Sequence, residues 1–298
     1  MTVTSPDSRP PAGPRSRPYS DRMPSAVDAL FRSGHPLPSA AVTTCATVLT
    51  AAAGNRAGTC VLAAIAVLAG QLSVGWSNDR IDVHRDRRVE HEGKPLAAGQ
   101  VPLSVVDAAL VASVIVTCVF SLLLGWRAGG LHLAAVAVAW LYNAWLKRTW
   151  LSWLPYALAF GSLPAFATLA LPGHPAPHAW IVVTAAMLGA TVNFVNAKQS
   201  LARHPRSDIR GLPDRIGGEA SLLVAAALLA GCCALVTWAP AGAPRPVAWV
   251  GAALTAVLIG GGVALMWPHA DTRRPFYWLL VVAPVEVLVL VITAQPFH

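Results

Sequence analysis

The chain has 298 residues, of which 55% are hydrophobic and only 12% charged, and its formal net charge is +8. Soluble domains carry about 25% charged residues, so this composition argues against a soluble protein and indicates a membrane protein. The sequence has no Walker-type glycine loop, no Gly-x-Ser-x-Gly and no basic patch interleaved with aromatic residues. These absences argue against P-loop nucleotide binding, hydrolysis by that serine motif and nucleic-acid binding.

The first 35 residues are rich in Pro, Ser and Arg and poor in apolar side chains. Such a segment cannot bury enough apolar surface to fold alone, so residues 1–35 are predicted to form a disordered cytoplasmic tail. They also lack the short apolar core of a cleavable signal peptide. The remainder, residues 36–298, is predicted to be a single membrane domain.

Apolar runs long enough, or nearly long enough, to cross a bilayer recur along this domain. Short connections separate most of them, so we expect an all-α, polytopic bundle of about nine transmembrane helices. The predicted spans are 38–54, 58–77, 103–125, 131–146, 152–171, 179–197, 219–239, 246–266 and 276–294.

The basic residues fall mainly on one side of these nine spans. Nineteen of the 22 Lys and Arg lie before the first span or in the even-numbered connections, leaving Arg56, Arg127 and Arg245 for the other side. Since cytoplasmic loops carry the excess of Lys and Arg, the N-terminus is predicted to be cytoplasmic and the C-terminus outside. We expect an integral protein of a bacterial cell membrane, in contact with the lipid bilayer, whose positive charge reflects topology and attraction to anionic lipids.

An acidic cluster, Asn78-Asp79-Arg80-Ile81-Asp82-Val83-His84-Arg85-Asp86, follows the second span. If the helix continues, Asp79, Asp82 and Asp86 share one face. Three crowded carboxylates cost much free energy to desolvate unless a strong cation lies among them. Carboxylate oxygens in this number suit Mg²⁺, which proteins usually hold together with phosphate oxygens of the substrate. The alternative is a solvated connector whose acids pair with the neighbouring arginines.

Other polar residues gather in or beside the even-numbered connections between spans, which are predicted to be cytoplasmic. Lys94 follows the acidic cluster, and Tyr142 and Lys147 lie at the end of the fourth span. With the three aspartates, they are the predicted catalytic residues, and the lysines are candidate cations for diphosphate oxygens. The alternative is that both lysines only anchor helix ends at the membrane interface. The candidates for substrate binding are Asn78, Asn193, Asn196, Lys198, Arg203, Arg206, Asp208 and Arg215.

Asn78-Asp79-x-x-Asp82-x-x-x-Asp86, with Lys94-Pro95-Leu96 and Gly99, resembles the first aspartate-rich motif of the UbiA superfamily of intramembrane prenyltransferases. The Tyr142 and Lys147-Arg148 segment and the Gly-Leu-Pro sequence that leads to Gly217 are similar to further landmarks of that family. The resemblance implies Mg²⁺-dependent transfer of an isoprenyl group from an isoprenyl diphosphate to an acceptor. It also implies that Asp79, Asp82 and Asp86 hold Mg²⁺ on the diphosphate.

One departure from the family pattern concerns the second aspartate-rich motif. Ser200, Arg203 and His204 stand where its acids are expected. Three explanations stay open: the second Mg²⁺ is held differently, basic side chains such as Lys198, Arg203 or Arg206 neutralise the diphosphate directly, or the site has degenerated.

Three functional classes follow from these residues. The first is a prenyltransferase that acts on an aromatic or other small acceptor, with Trp76 and Tyr142 as candidates to stabilise an allylic cation through their rings. The second is a terpene cyclase or diphosphate lyase of the same fold. The third is a non-catalytic membrane protein that binds isoprenoids.

Overall fold

The computed structural model describes residues 25–88, 94–203, 210–240, 246–266 and 274–294, and within these ranges the chain is all-helical. Eleven α-helices and one 3-10 turn, Leu146–Arg148, make up the described fold. The helices are α1 Ala26–Ser33, α2 Pro36–Ala52, α3 Ala57–Arg88, α4 Leu103–Leu123, α5 Trp126–Ala144, α6 Leu154–Leu169, α7 Ala179–Arg203, α8 Leu212–Ile216, α9 Gly218–Trp238, α10 Pro246–Met266 and α11 Arg274–Thr293.

The predicted all-α fold is confirmed, and each predicted span overlaps a long helix of the described chain. Among the described residues, four helices, α3, α4, α7 and α9, are long and apolar enough to cross a membrane by length and composition. Since α2, α6, α10 and α11 contribute only shorter apolar stretches, the number of nine transmembrane helices stays a prediction.

The predicted disordered tail is wrong in its last part, because Ala26–Ser33 forms helix α1. Its start is capped by the Ser25 hydroxyl, which accepts a hydrogen bond from the Asp28 amide, and Arg32 pairs with Asp28 one turn earlier. Ala29 is fully buried against a small apolar cluster that includes Trp76. Local capping and tertiary packing therefore order a segment whose composition alone favours disorder. The earlier part of the tail lies outside the described residues.

The long helix α3 lies at the centre of the first half of the bundle, in contact with α2, α4 and α5. In the second half, α7 has the corresponding position and contacts α6, α9 and α11. The main apolar core runs between these two groups, with Phe166, Ile181 and Leu229 among its fully buried side chains. Polar residues at one end of α3 are thus surrounded by helices from several parts of the chain.

Two glycines allow the close contacts that shape this end of the bundle. A Cβ on Gly75 in α3 would lie 2.9 Å from the carbonyl oxygen of Gly34, so only glycine lets α3 approach the corner between α1 and α2. A Cβ on Gly211 would lie 2.5 Å from Ser152 Oγ, so glycine also lets the chain before α8 pack on the connection between α5 and α6. Both corners lie beside the polar residues described next.

Candidate active site at the acidic end of helix α3

The acidic cluster continues helix α3, as its spacing predicts. The helix runs unbroken to Arg88, and Asp79, Asp82 and Asp86 share one face with exposed fractions of only 2%, 4% and 1%. This burial argues against the solvated connector, because a solvated face would leave the carboxylates in water. The pairing with neighbouring arginines that the alternative predicts is seen for Arg85, which contacts both Asp82 and Asp86. Arg80 instead bonds Asp107 on α4.

Asp79 is contacted by two residues from outside α3. Lys94 Nζ donates a hydrogen bond to Asp79 Oδ1, and His35 Nε2 lies 3.2 Å from the same oxygen. The other oxygen, Oδ2, is buried and has no hydrogen-bond partner among the described residues. Burying a carboxylate oxygen without a hydrogen-bond donor costs free energy of folding. A bound ion or ligand at this oxygen would offset that cost.

Asp82 and Asp86 share a second set of cations. Lys147 Nζ lies 2.6 Å from Asp82 Oδ2 and 3.4 Å from Asn78 Oδ1. Arg85 Nη2 lies 3.1 Å from Asp82 Oδ2 and 2.7 Å from Asp86 Oδ1. Burial lowers the pKa of the Lys147 ammonium from its ordinary value, and the Asp82 carboxylate opposes that shift. The face therefore holds lysine, arginine and carboxylate groups within direct reach of one another.

The end of α5 places Lys147 on this face. Asn143, in the last turn of α5, donates to the Val74 carbonyl at 2.8 Å and to Ser77 Oγ at 2.9 Å, which ties α5 to α3 one turn before the acidic cluster. The helix then ends at Ala144, and the 3-10 turn Leu146–Arg148 follows. This tighter turn brings the buried Lys147 back over Asp82.

A second polar group lies on α5, α6 and α7, and its Tyr142 directly precedes Asn143, which bonds α3. The rings of Tyr142 and Tyr156 meet edge to face with centroids 5.2 Å apart. The Tyr142 hydroxyl interacts with Asn193, and that of Tyr156 interacts with Asn196. Asn193 is buried, and its Oδ1 has no hydrogen-bond partner among the described residues. The predicted residues Tyr142, Asn193 and Asn196 are thus close together.

The Gly-Leu-Pro segment packs against the start of α6. The Leu212 amide donates to Ser152 Oγ at 3.0 Å, and the Gly211 amide donates to Asp214 Oδ2 at 2.9 Å. Arg215 lies over the Trp150 ring at 5.0 Å and donates to the Arg210 carbonyl at 3.0 Å. In this structure Arg215 therefore stabilises the segment itself, and its role in substrate binding stays a prediction.

The remaining predicted residues cannot be placed in the site. The backbone of α7 extends to Arg203, but the side chains of Lys198 and Arg203 lie outside the described part of the chain, as do Arg206 and Asp208 entirely. The same holds for the side chain of Ser200 and for His204, so the departure in the second motif stays open.

The structure adds His35 to the candidate site and shows that Trp76 packs on helix α1. His35 contacts Asp79 from a left-handed backbone conformation, φ 51°, which is rare outside glycine and common at functional sites. Its only signal in the sequence is its place before Pro36, at the predicted end of the disordered tail. Trp76, a candidate to stabilise a cation, donates its indole N–H to the Leu30 carbonyl at 3.1 Å and packs on α1.

The donor set offers the oxygen ligands that a divalent cation prefers, but among the described residues no three acidic, His or Cys side chains converge as a preformed metal site. Asp79, Asp82 and Asp86 provide carboxylate oxygens on one helix face, and Asp79 Oδ2 is buried without a partner among the residues that the structure describes. Mg²⁺ is held in proteins by one or two carboxylates together with water and substrate phosphate oxygens. Lys94, Lys147 and Arg85 surround the same face and can bind phosphate oxygens.

Several solved structures share this fold. A UbiA homolog from Archaeoglobus fulgidus bound to DMAPP and Mg²⁺ is 17% identical, with a TM-score of 0.71 over 90% of this chain and 99% of that chain. The apo structure of a UbiA homolog from Aeropyrum pernix K1 is 21% identical, with a TM-score of 0.66 over 89% of this chain and 97% of that chain. A digeranylgeranylglyceryl phosphate synthase is 15% identical, with a TM-score of 0.63 over 90% of this chain and 98% of that chain.

The sequence comparisons identify the family. No curated protein matches the sequence. The family model described as the UbiA prenyltransferase family matches residues 39–282, which include the aspartate face, the tyrosine pair and the Gly-Leu-Pro segment. This match covers most of the chain and agrees with the fold. The chain therefore belongs to the UbiA prenyltransferase family.

Proposed function

We propose that the protein transfers an isoprenyl group from an isoprenyl diphosphate to an aromatic or other small acceptor within the membrane, in a Mg²⁺-dependent reaction. The observation that carries the proposal is the buried face of Asp79, Asp82 and Asp86, with Lys94 and Lys147 in direct contact with it. Family membership supports the reaction class. Relatives of the same fold were solved with GPP or DMAPP and Mg²⁺, which supports the substrate and the metal.

In the proposed reaction the allylic carbon–oxygen bond breaks, and its electron pair goes to the diphosphate. The acceptor then forms a bond to the allylic carbon and loses a proton. Mg²⁺, when bound, supplies positive charge that stabilises the leaving diphosphate. The metal would be held by Asp79, Asp82 and Asp86. Asn78 would orient Asp82 or a water, because Lys147 Nζ donates hydrogen bonds to both Asn78 and Asp82.

The lysines have a second role in the proposal. In the structure Lys94 and Lys147 neutralise aspartates. With a cation held by the carboxylates, the two ammonium groups would be free to bind diphosphate oxygens, where charge develops as the bond breaks. Arg85, which bridges Asp82 and Asp86, can act in the same way.

The tyrosine pair is proposed to lie beside the reacting carbon. Tyr142 presents an aromatic ring for a developing allylic cation, and the free Oδ1 of Asn193 offers a hydrogen-bond acceptor for a hydroxyl of the acceptor substrate. Asn196, beside Tyr156, would extend this surface. Enclosure of the reacting carbon by the surrounding helices would keep water from an allylic cation until the acceptor reaches it.

The test is to incubate membranes that contain the protein with labelled isoprenyl diphosphates, with and without candidate aromatic acceptors, in the presence of Mg²⁺ or EDTA. We expect a prenylated adduct that needs both acceptor and Mg²⁺. A hydrocarbon or alcohol released without acceptor would indicate a cyclase or lyase instead. No release of diphosphate under any condition would favour a non-catalytic isoprenoid-binding protein.

The matched variants are Asp82→Asn and Asp107→Asn. The first removes one charge from the face, and we expect turnover to fall by about 100-fold or more, the scale seen when one group that stabilises charge is removed. The second removes a half-exposed carboxylate that pairs with Arg80 on the outer side of α3, and we expect turnover close to that of the unchanged protein. Equal activity of Asp82→Asn and Asp107→Asn, at equal protein level, would exclude the aspartate face as the metal site.

A further inference from the structure

Three arginines come together at one end of the bundle, outside the aspartate face. Arg148 ends the 3-10 turn after α5, Arg210 precedes α8, and Arg215 lies in the last turn of α8. Arg215 Nε donates to the Arg210 carbonyl at 3.0 Å, and Arg215 Nη2 donates to the Arg148 carbonyl at 3.4 Å. The three residues therefore form one group, which we call the arginine patch.

The positive charge of the arginine patch is not neutralised by ion pairs. Its three residues are exposed, and no carboxylate among the described residues pairs with any of them. Arg210 attracts Asp214, but that carboxylate accepts from the Gly211 amide and also interacts with Tyr142 inside the bundle. A guanidinium has five N–H donors, and the two bonds of Arg215 to carbonyl oxygens leave three free. The patch can therefore bind an anion.

Exposed apolar side chains surround the arginine patch. Arg215 lies over the Trp150 ring at 5.0 Å, and Trp150 and Leu151 are 59% and 49% exposed. Ile216, next to Arg215 in α8, is also exposed. These side chains belong to the connection between α5 and α6 and to the segment before α9, at the ends of long apolar helices. Tryptophan and arginine beside apolar side chains are typical of the membrane–water interface, so the patch has the surroundings of a lipid headgroup.

The arginine patch lies on the outer side of the turn that holds Lys147. Lys147 and Arg148 are consecutive residues, yet Lys147 is buried against Asp82 whereas Arg148 is exposed. The Arg148 side chain makes no hydrogen bond or ion pair within the described part of the chain. The patch is therefore next to the proposed reaction site but separate from it.

We infer that the arginine patch is a binding site for an anionic phospholipid, whose phosphate group binds the guanidinium groups while its acyl chains lie along Trp150, Leu151 and Ile216. Arginine binds phosphate oxygens through pairs of N–H donors. A zwitterionic phospholipid carries its own cation, which three arginines repel, so a net negative headgroup is preferred. A soluble anion would leave the apolar side chains uncovered. The bound lipid bridges the α5–α6 connection and α8, and so joins two segments next to Lys147.

The test uses phosphatidylglycerol with a photoreactive diazirine in one acyl chain and the purified full chain in detergent micelles. Labelled peptides are identified by mass spectrometry, with unlabelled phosphatidylglycerol, phosphatidylcholine or inorganic pyrophosphate as competitor. In the unchanged protein we expect label on the peptides that contain Trp150, Leu151 or Ile216. Phosphatidylglycerol should compete at least about fivefold better than phosphatidylcholine, the factor contributed by about one basic residue beside an anionic lipid, and pyrophosphate should not compete.

Three variants separate the outcomes. Arg148→Gln and Arg215→Gln should each weaken the affinity for phosphatidylglycerol about fivefold, because each removes one basic residue. Arg215 also stabilises its own segment, so Arg148→Gln is the clearer variant, since the Arg148 side chain has no partner among the described residues. The matched control is Arg127→Gln, which removes an exposed arginine over the Trp126 ring at the opposite end of α5 and should leave labelling unchanged.

The inference is overturned if the named peptides are not labelled, or if phosphatidylcholine competes as well as phosphatidylglycerol. It is overturned equally if Arg148→Gln and Arg215→Gln both retain full affinity. Competition by pyrophosphate as strong as that by phosphatidylglycerol would assign the arginines to the diphosphate of the proposed reaction and would also overturn the lipid site. The experiment does not depend on turnover, so its outcome is independent of whether the isoprenyl transfer is confirmed.

Discussion

Lys147 and Asp82 are 65 positions apart in the chain, yet their side chains meet at 2.6 Å with both residues nearly buried. The contact joins the turn after α5 to the acidic end of α3. Removing one partner of a buried pair leaves an uncompensated charge, whereas removing both need not. This asymmetry makes the pair a test of how the site is held together.

We expect Lys147→Met to lower thermal stability, because it leaves the buried Asp82 with Arg85 as its one described cation. The loss should be about 1–3 kcal/mol, the cost of an unsatisfied buried polar group. Thermal unfolding of the detergent-purified protein measures it. Asp82→Asn combined with Lys147→Met should recover part of the loss, and a double variant less stable than Lys147→Met alone would contradict this account.

The close approach of Gly211 to Ser152 predicts a second effect. Gly211→Ala places a methyl group 2.5 Å from Ser152 Oγ, so the Gly-Leu-Pro segment must move away from the turn that holds Lys147. We expect KM for the isoprenyl diphosphate to rise several-fold, measured in steady-state assays on membranes.

The matched control for that substitution is Gly130→Ala in α5, where an added Cβ meets open space. Gly211→Ala combined with Ser152→Gly removes the nearest clash but also the acceptor of the Leu212 amide, so it should restore KM only in part. If Gly211→Ala and Gly130→Ala give the same KM, the segment does not influence the site.

The distribution of Lys and Arg predicts the topology. Nine spans with a cytoplasmic N-terminus place residue 298 outside the cell. A reporter active only outside the cytoplasm, fused after His298, should therefore be active, and the same reporter fused after Arg148 should be inactive. Activity of the second fusion, or inactivity of the first, would mean that the number of spans is wrong.

The basic residues in the last part of α7 and just after it give a further prediction. If Lys198, Arg203 and Arg206 neutralise the diphosphate in place of a second acidic motif, each alanine variant should weaken substrate binding by about 1.5–3 kcal/mol, the scale of a hydrogen bond to a charged group. Binding of a labelled isoprenyl diphosphate in the presence of Mg²⁺ measures this.

The reverse substitutions distinguish decay from function. Ser200→Asp with His204→Asp should lower activity if the basic character is functional and raise it if the motif has decayed. Unchanged binding and turnover in both sets, with Asp82→Asn inactive, would show that the first motif alone carries the reaction.

The aspartate face could be predicted from sequence because its pattern is local. Helical periodicity alone places Asp79, Asp82 and Asp86 on one side of α3, and the structure has that helix. Lys147 could be predicted as a cation at a helix end, but its partner could not, because the 3-10 turn that brings it to Asp82 depends on how α5 packs on α3.

The contact of His35 and the arginine patch were beyond sequence analysis for different reasons. His35 reaches Asp79 through the corner between α1 and α2, and α1 is ordered by packing rather than by composition. Arg148 and Arg215 are 67 positions apart, so no spacing connects them. They come together only when the segment of α8 packs on the connection between α5 and α6.

The corner between α1 and α2 has a practical consequence for shortened proteins. Residues 25–35 supply the Leu30 carbonyl that holds Trp76 and the His35 ring that contacts Asp79. A chain shortened to begin at Pro36, the boundary that composition suggests, would lose both contacts and open one side of the aspartate face to solvent. A chain shortened to begin at Ser25 would retain both contacts. The shortest chain that keeps the candidate site intact must therefore include α1, whose corner with α2 contacts Trp76 and Asp79.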